Sequence, residues 1–349
     1  MKAAVWHGAK DIRIEEKEAP APRSKDVKVR VAWTGICGSD LHEYLDGPMT
    51  IPGENPDPLT GETAPLTMGH EFSGVVEETG ENVSGFSTGD RVVINPLITY
   101  GNKGPAYDIY DGFNFVGLGQ DGGFADYVVL DEKHLYSLPD HLSLEQGALV
   151  EPSAVAVQAA KEGKLQEGQT VGIYGAGPIG LLTVAAAKAF GASSIVVLDL
   201  SEPRLEKAKE MGATHVINSG EQKPEEAVKE IVPDGFDVTF EVAGVEPTLN
   251  QAIRTTTPRG MVVIVSLITH PVAITPMDLT SSGVMITSSA AYEPEVYQKT
   301  IDLIASGTME VKEAVTRHIA LNDIVEQGFE ALAGDKSEVK ILVELSGES

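Results

Sequence analysis

Short alternating runs dominate the first half of the chain. VKVRVAWTG at 27–35, SGVVEETG at 73–80, DRVVINP at 90–96 and FADYVVL at 124–130 are rich in β-branched and apolar residues, with Gly and Pro dense between them. A period of two predicts strands, here in a twisted, partly closed β-structure with long loops. Near Gln146 the texture changes. GALVEPSAVAVQAAKEG brings alanine-rich helical periodicity, and from Thr170 apolar strands (TVGIYG, SIVVLD, THVIN, FDVTFEVAG, MVVIVSLIT, VMITSSA) alternate with helices (PIGLLTVAAAKAFG, PRLEKAKEMG, TLNQAIRTT). This predicts an α/β class: a doubly wound, parallel Rossmann sheet covered by helices on both faces. After about Tyr292 come a helix-like VYQKTIDLIASG, a strand-like VTRHIAL, a helix-like NDIVEQGFEALAG and a strand-like VKILVEL. Those strands have no place in a sheet that already holds six, so the tail is expected to return to the first, mostly β domain. The expected domains are therefore 1–152 with 292–349, and 153–291. No internal repeat or flexible linker separates them.

Length and composition narrow the function classes. The 349 residues favour two compact domains, and 42% hydrophobic content supports a large core. The chain carries 52 Asp+Glu against 26 Lys+Arg, a formal charge of -26. Without a local Lys/Arg cluster, this excess argues against nucleic acid and membrane surfaces as partners. Lys188, Gly191 and Asp199 interrupt the longest apolar segments, short of the roughly 20 residues a membrane helix needs. The opening MKAAVWHGAKDIRIEEKEAP reads as a first strand rather than a signal peptide, so a cytoplasmic protein is expected. The single cysteine, Cys37, excludes an intrachain disulfide and any multi-cysteine zinc site.

The first chemical signal is GIYGAGPIG, which sets Gly175, Gly177 and Gly180 in G-x-G-x-x-G spacing, with Pro178 and Ile179 between the last two. It follows a predicted strand and opens a predicted helix. In that context Gly175 permits a tight turn, Gly177 lets the backbone approach a pyrophosphate, and Gly180 allows helix-on-strand packing. SIVVLD ends in Asp199, 19 residues after Gly180, where a carboxylate accepts hydrogen bonds from ribose hydroxyls and repels a 2′-phosphate. NAD is therefore expected in preference to NADP. Arg204 follows five residues later, either as a solvated helix charge or as a residue holding the cofactor.

The second signal is dispersed: Cys37 in GICGSDLHEY, His70 and Glu71 in TMGHEFSG, and Glu151 in GALVEPSAV. Singly each has an ordinary explanation, and a metal site requires their convergence. Gly69, His70, Glu71, Gly74, Gly80 and Val83 fit the signature of the zinc-containing medium-chain alcohol dehydrogenases, which the whole chain resembles. Within that family CGSDLHEY, the insertion between Tyr44 and Gly69, TMGHEFSG, QGALVEPSAVA and KSEVKILV look like the 2,3-butanediol dehydrogenases.

The resemblance implies a GroES-like catalytic domain beside the Rossmann domain, and a catalytic zinc held by Cys37, His70 and a carboxylate, with Glu151 ranked ahead of Glu71. It places Asp40 behind His70, and a proton relay at Ser39 and His42. Many relatives hold a structural zinc with four cysteines in the lobe that here reads NPLITYGNKGPAYDIYDGFNFVGLGQDGG. This lobe has none, so one zinc and no structural zinc are expected, with packing of Tyr100, Tyr107, Tyr110, Phe113 and Phe115 in its place. The implied activity is NAD-dependent interconversion of a small secondary alcohol and ketone, 2,3-butanediol and acetoin with diacetyl reduction, by a homo-oligomer (dimer or tetramer). A polyol, sugar or threonine dehydrogenase of the same family is the alternative. A non-catalytic nucleotide-binding protein is the alternative from another class.

Overall fold

A computed structural model of the chain describes residues 1–335 and 337–347. Lys336 of the KSEVKILV tail and the last two residues of the expected first domain lie outside them. The chain divides into two compact units: Met1–Glu151 with Glu293–Ile301 and Val315–Ser349, and Pro152–Tyr292 with Asp302–Ala314. Residues 302–314 thus group with the second unit, whereas the sequence pattern put everything after 291 in the first. Met309, Val311 and Ala314 are buried there, and the turn Lys312–Ala314 packs on helices Pro178–Ala189 and Glu202–Met211.

The first unit is built on the strand Asp26–Gly35. Val27, Val29 and Val31 are fully buried while Lys28 and Arg30 between them are half-buried, as a period of two demands. Each such valine contributes about 1.5–3 kcal/mol. Glu71–Thr79 runs antiparallel along one edge of this strand; Tyr127–Asp131 and Lys340–Glu344 share the other edge, pairing with its beginning and its end respectively. Val315–Ala320 then pairs parallel with Lys340–Glu344, so both tail strands join the first unit's sheet. The tail segment 322–334 is not a regular α-helix. Ile324–Glu330 is π-helical, and Ile324 and Phe329, five residues apart, are both buried, a spacing that suits an i→i+5 turn.

The cysteine-free lobe is held differently from the expectation. Tyr107 and Tyr110 are 69% and 64% exposed, and Tyr100 and Phe113 are also exposed, so aromatic packing does not replace the metal. A two-stranded ribbon, Leu97–Thr99 with Phe113–Phe115, is instead pinned by buried Asn114, whose Nδ2 donates to Asp57 Oδ2 at 2.6 Å. Asp57 Oδ1 accepts from Leu59 and Thr60 N–H, and Thr60 Oγ1 donates to Gly119 O, which ties the insertion to the lobe. Phe115 contributes by stacking against His70 with ring centroids 5.7 Å apart.

The second unit carries a parallel sheet in the order His215–Asn218, Ser194–Asp199, Thr170–Tyr174, Phe236–Glu241, Thr256–Ile264, Met285–Ser288. In chain order this is 3-2-1-4-5-6, the doubly wound arrangement whose switch point lies between the first and fourth strands. Among the described residues no helix is long and apolar enough to cross a membrane.

Candidate active site

In the first unit, two neighbouring strands and one helix start bring the chemistry together. Gly35 pairs with Glu71 across the sheet, so the chain leaving Gly35 delivers Ile36 and Cys37 beside His70 and Glu71. Cys37 precedes helix Gly38–Asp46, and its N–H donates to Asp40 Oδ2 at 3.0 Å, fixing the turn. Among the described residues, Cys37 Sγ, a His70 nitrogen and a Glu71 oxygen all lie within 4.8 Å of one another. Thiol, imidazole and carboxylate are the donor types zinc accepts.

His70 is buried, with Nδ1 3.3 Å from Asp40 Oδ1 and Nε2 3.2 Å from Ser39 Oγ. The Asp40 contact is close enough for charge attraction but not aligned as a hydrogen bond, and both atoms are otherwise buried without a partner. Burial opposes a charge on the imidazole. The charges of Asp40 and Cys37 outweigh it and hold the His70 pKa well above the usual histidine range. An imidazole backed by a carboxylate on one nitrogen, with the other nitrogen facing Ser39, is oriented for metal ligation.

Glu71 has a partner that sequence reasoning missed. Lys340 Nζ donates to Glu71 Oε1 at 2.8 Å, to Oε2 at 2.7 Å and to Ile36 O at 3.0 Å. The two side chains are 1% and 0% exposed. Burial alone would lower the lysine's pKa, but the charge of Glu71 raises it above its ordinary value, so Lys340 stays protonated. Removing one partner of a buried pair costs about 3–5 kcal/mol. The available signal was a lone cation inside the apolar strand VKILVEL. Glu151 is buried at the start of helix Val150–Glu162, outside the 4.8 Å cluster, and its charge acts on buried Lys340 and Tyr297. Ser39 is half-buried against His70, and His42 is exposed one turn further along the same helix.

In the second unit the glycine-rich turn links Thr170–Tyr174 to helix Pro178–Ala189. Gly175 has φ +114°, a conformation L side chains rarely adopt. A Cβ on Gly180 would sit 2.0 Å from Gly175 O, whereas a Cβ on Gly177 would meet nothing within 4 Å. The protein's own packing therefore does not exclude a side chain at Gly177. The helix start has no side-chain cap and no acidic residue in its first turn, and Pro178 opens it without needing an N–H partner. Its N–H groups suit a phosphate. Asp199 braces the turn: Oδ2 accepts from Ala176 N–H at 2.7 Å and Oδ1 from Ser201 N–H at 2.8 Å. Ile179 lies in the first helical turn, and Arg204 is half-buried in helix Glu202–Met211.

A doubly wound nucleotide-binding unit joined to a β unit bearing a thiol, imidazole and carboxylate cluster defines a two-domain, metal-type dehydrogenase. Residues 23–140 match the model of the alcohol dehydrogenase GroES-like domain, and residues 178–306 that of the zinc-binding dehydrogenases. The chain is 48% identical to (R,R)-butanediol dehydrogenase of Bacillus subtilis, over 98% of this chain and 99% of that one. It is 36% identical to the sorbitol dehydrogenase of the same organism over 98% of this chain and 97% of that one. The crystal structure of 2R,3R-butanediol dehydrogenase from Bacillus subtilis superposes with a TM-score of 0.94 at 46% identity, covering 98% of this chain and 99% of that one. The chain belongs to the zinc-containing medium-chain alcohol dehydrogenases, oxidoreductases that use zinc and NAD(P).

Proposed function

We propose that the protein oxidises 2,3-butanediol to acetoin with NAD, and reduces acetoin and diacetyl in the reverse direction. The observation that carries this is the convergence of Cys37, His70 and Glu71 within 4.8 Å, a donor set that a nucleotide-binding module without chemistry does not need. The 48% identity to a butanediol dehydrogenase, against 36% to a sorbitol dehydrogenase, supports the diol over a polyol. NAD reduction should be fastest with (2R,3R)-butanediol among the separate stereoisomers, sorbitol, threonine and glucose. A faster rate with sorbitol would replace the substrate reading. Elemental analysis should find one zinc per chain, because Cys37 is the only cysteine; two tightly held zincs would refute it.

Cys37 and His70 would hold the metal together with a carboxylate: Glu71, which lies within 4.8 Å of both and also pairs with Lys340, or Glu151, which the family resemblance ranks first. Bound zinc supplies Lewis acidity that lowers the alcohol pKa or polarises the ketone, and NAD supplies the hydride acceptor. The chain's own work is orientation and proton movement. Asp40 holds the His70 ring, and Ser39 Oγ would accept the alcohol's proton as it passes its own onward. His42, exposed three residues on, is the group that returns it to solvent. His42→Ala should lower kcat by about 10²-fold or less, since water can substitute for an exposed base, while leaving zinc content unchanged. Wild-type rates in that variant would remove His42 from the relay.

Gly175, Gly177, Pro178, Ile179 and Gly180 would carry the pyrophosphate, and Asp199 the adenosine ribose, with Arg204 beside it in sequence. Asp199 both repels a 2′-phosphate and braces Ala176. Asp199→Ala should thus reduce kcat/KM with NAD and narrow its margin over NADP. A wild-type preference for NADP would show that the acidic residue does not select the cofactor. A homo-oligomer belongs to the same reading: Met285–Ser288 ends the sheet, and Leu267, Met277 and Met285 of that unit are more than half exposed.

A further inference from the structure

The switch-point crevice of the second unit has two sides. One is the glycine-rich turn after Thr170–Tyr174, and the other is formed by the segments that leave Phe236–Glu241 and Thr256–Ile264. The two sides adjoin: Val242 N–H donates to Tyr174 O at 3.0 Å, and a Cβ on Gly175 would lie 3.1 Å from Ala243 N. In a doubly wound sheet each half takes one mononucleotide of a dinucleotide. With the adenosine assigned to Asp199, the nicotinamide falls to the half that begins with Phe236–Glu241. Glu241, the last residue of that strand, is fully buried. Its Oε1 accepts from Ala243 N–H at 3.0 Å, Gly244 N–H at 2.9 Å and Thr248 Oγ1 at 2.7 Å, and its Oε2 accepts from Ser266 Oγ. Its backbone carbonyl accepts from Val265 N–H at 2.9 Å. One residue thus joins the turn at 243–244, helix Glu246–Thr255 and the segment that follows Thr256–Ile264. The Cβ position of Gly244, whose φ is +78°, lies 3.5 Å from both Leu267 O and Ser266 Cβ, so the two segments are in contact. All four side-chain donors are uncharged. A carboxylate, which only accepts and offers about four lone-pair sites, matches them, whereas a glutamine would turn an NH2 toward Ser266. None of these four bonds belongs to the strand ladder; what they hold is the wall of the crevice.

We propose that Glu241 is a positioning residue that fixes the wall of the crevice against which the nicotinamide half of NAD lies. This rests on the NAD reading above. In this role Glu241 does not touch the cofactor. It acts through the segments that it ties to one another, so that they need no ordering when the nicotinamide arrives, which is where a pre-formed site gains affinity.

The test uses the full-length, zinc-loaded protein and compares two probes: NADH, followed by its fluorescence, and ADP-ribose, which has every part of the cofactor except the nicotinamide, followed by calorimetry. Glu241→Gln should weaken NADH binding about 10-fold, the order of one lost hydrogen bond, while ADP-ribose binds within about twofold of wild type. A merely structural role would move both affinities together. Should Glu241→Gln fail to fold, Ser266→Ala, which removes only the arm to the second segment, is predicted to shift the ratio of the two affinities in the same direction. Wild-type NADH affinity in the folded variant, or equal weakening of NADH and ADP-ribose, would overturn the role of Glu241. Wild-type protein that binds neither probe would instead overturn the NAD reading, and this inference with it.

Discussion

Cys37→Ser is expected to abolish turnover while leaving the fold and NADH binding intact. The serine oxygen is a poor replacement for a thiolate in a site of this type, so zinc content should fall with activity. The loss should reach at least about 10³-fold, since Lewis-acid stabilisation is worth several kcal/mol and each 1.36 kcal/mol is a factor of ten. The substitution is structurally mild. Position 37 precedes helix Gly38–Asp46, where serine is a favoured cap, and the backbone N–H bond to Asp40 does not involve the side chain. The glycine-rich turn belongs to the other unit. Thermal unfolding, zinc analysis and NADH fluorescence titration separate these effects. A serine variant that retained both zinc and near-normal rates would remove Cys37 from the site.

The second large effect is predicted at Gly177, where the protein's own packing and the cofactor's requirements come apart. Its φ of −72° and ψ of −175° suit any residue, and an added Cβ meets no atom within 4 Å. Gly177→Asp should therefore fold normally, with Tm within about 2 °C of wild type, since changes at open positions cost within about 0.5 kcal/mol. An aspartate is also a favoured helix cap there. Placed where a pyrophosphate approaches, however, its bulk and charge should weaken NADH binding at least about 100-fold, or roughly 2.7 kcal/mol. Gly180→Ala provides the contrast. Its Cβ would collide with Gly175 O, so that variant should lose stability as well as affinity. Tight NADH binding by Gly177→Asp would place the cofactor elsewhere.

The parts of this protein that were legible from sequence are those governed by local periodicity. The six parallel strands follow apolar runs separated by helical segments, and GIYGAGPIG declares its strand–turn–helix context within nine residues. The candidate metal residues were legible only because a family signature grouped them, since Cys37 and His70 are 33 positions apart. Lys340 lies 269 residues from Glu71, and no local pattern announces a pairing made by strand register. The lobe misled for a related reason. Its aromatic content suggested a core, but the anchoring is polar, from Asn114 to Asp57 across 57 residues. In the tail, a helical period in NDIVEQGFEALAG did not reveal that burying Ile324 and Phe329 together requires a wider turn.

The interruption of the first unit by the second has a consequence for biosynthesis. Residues 152–292, the larger part of the second unit, are contiguous and can begin folding before residues 302–314 complete that unit, whereas the first unit waits for strands Val315–Ala320 and Lys340–Glu344. At about 5–20 residues per second, the interval between residues 151 and 340 is roughly ten to forty seconds. Throughout that time the Trp33–Gly35 end of the central strand has an open edge and Glu71 has no ammonium partner. A nascent chain that met zinc in this interval would offer it Cys37, His70 and an unrestrained Glu71. Metal loading should therefore yield active protein most efficiently after translation of the tail.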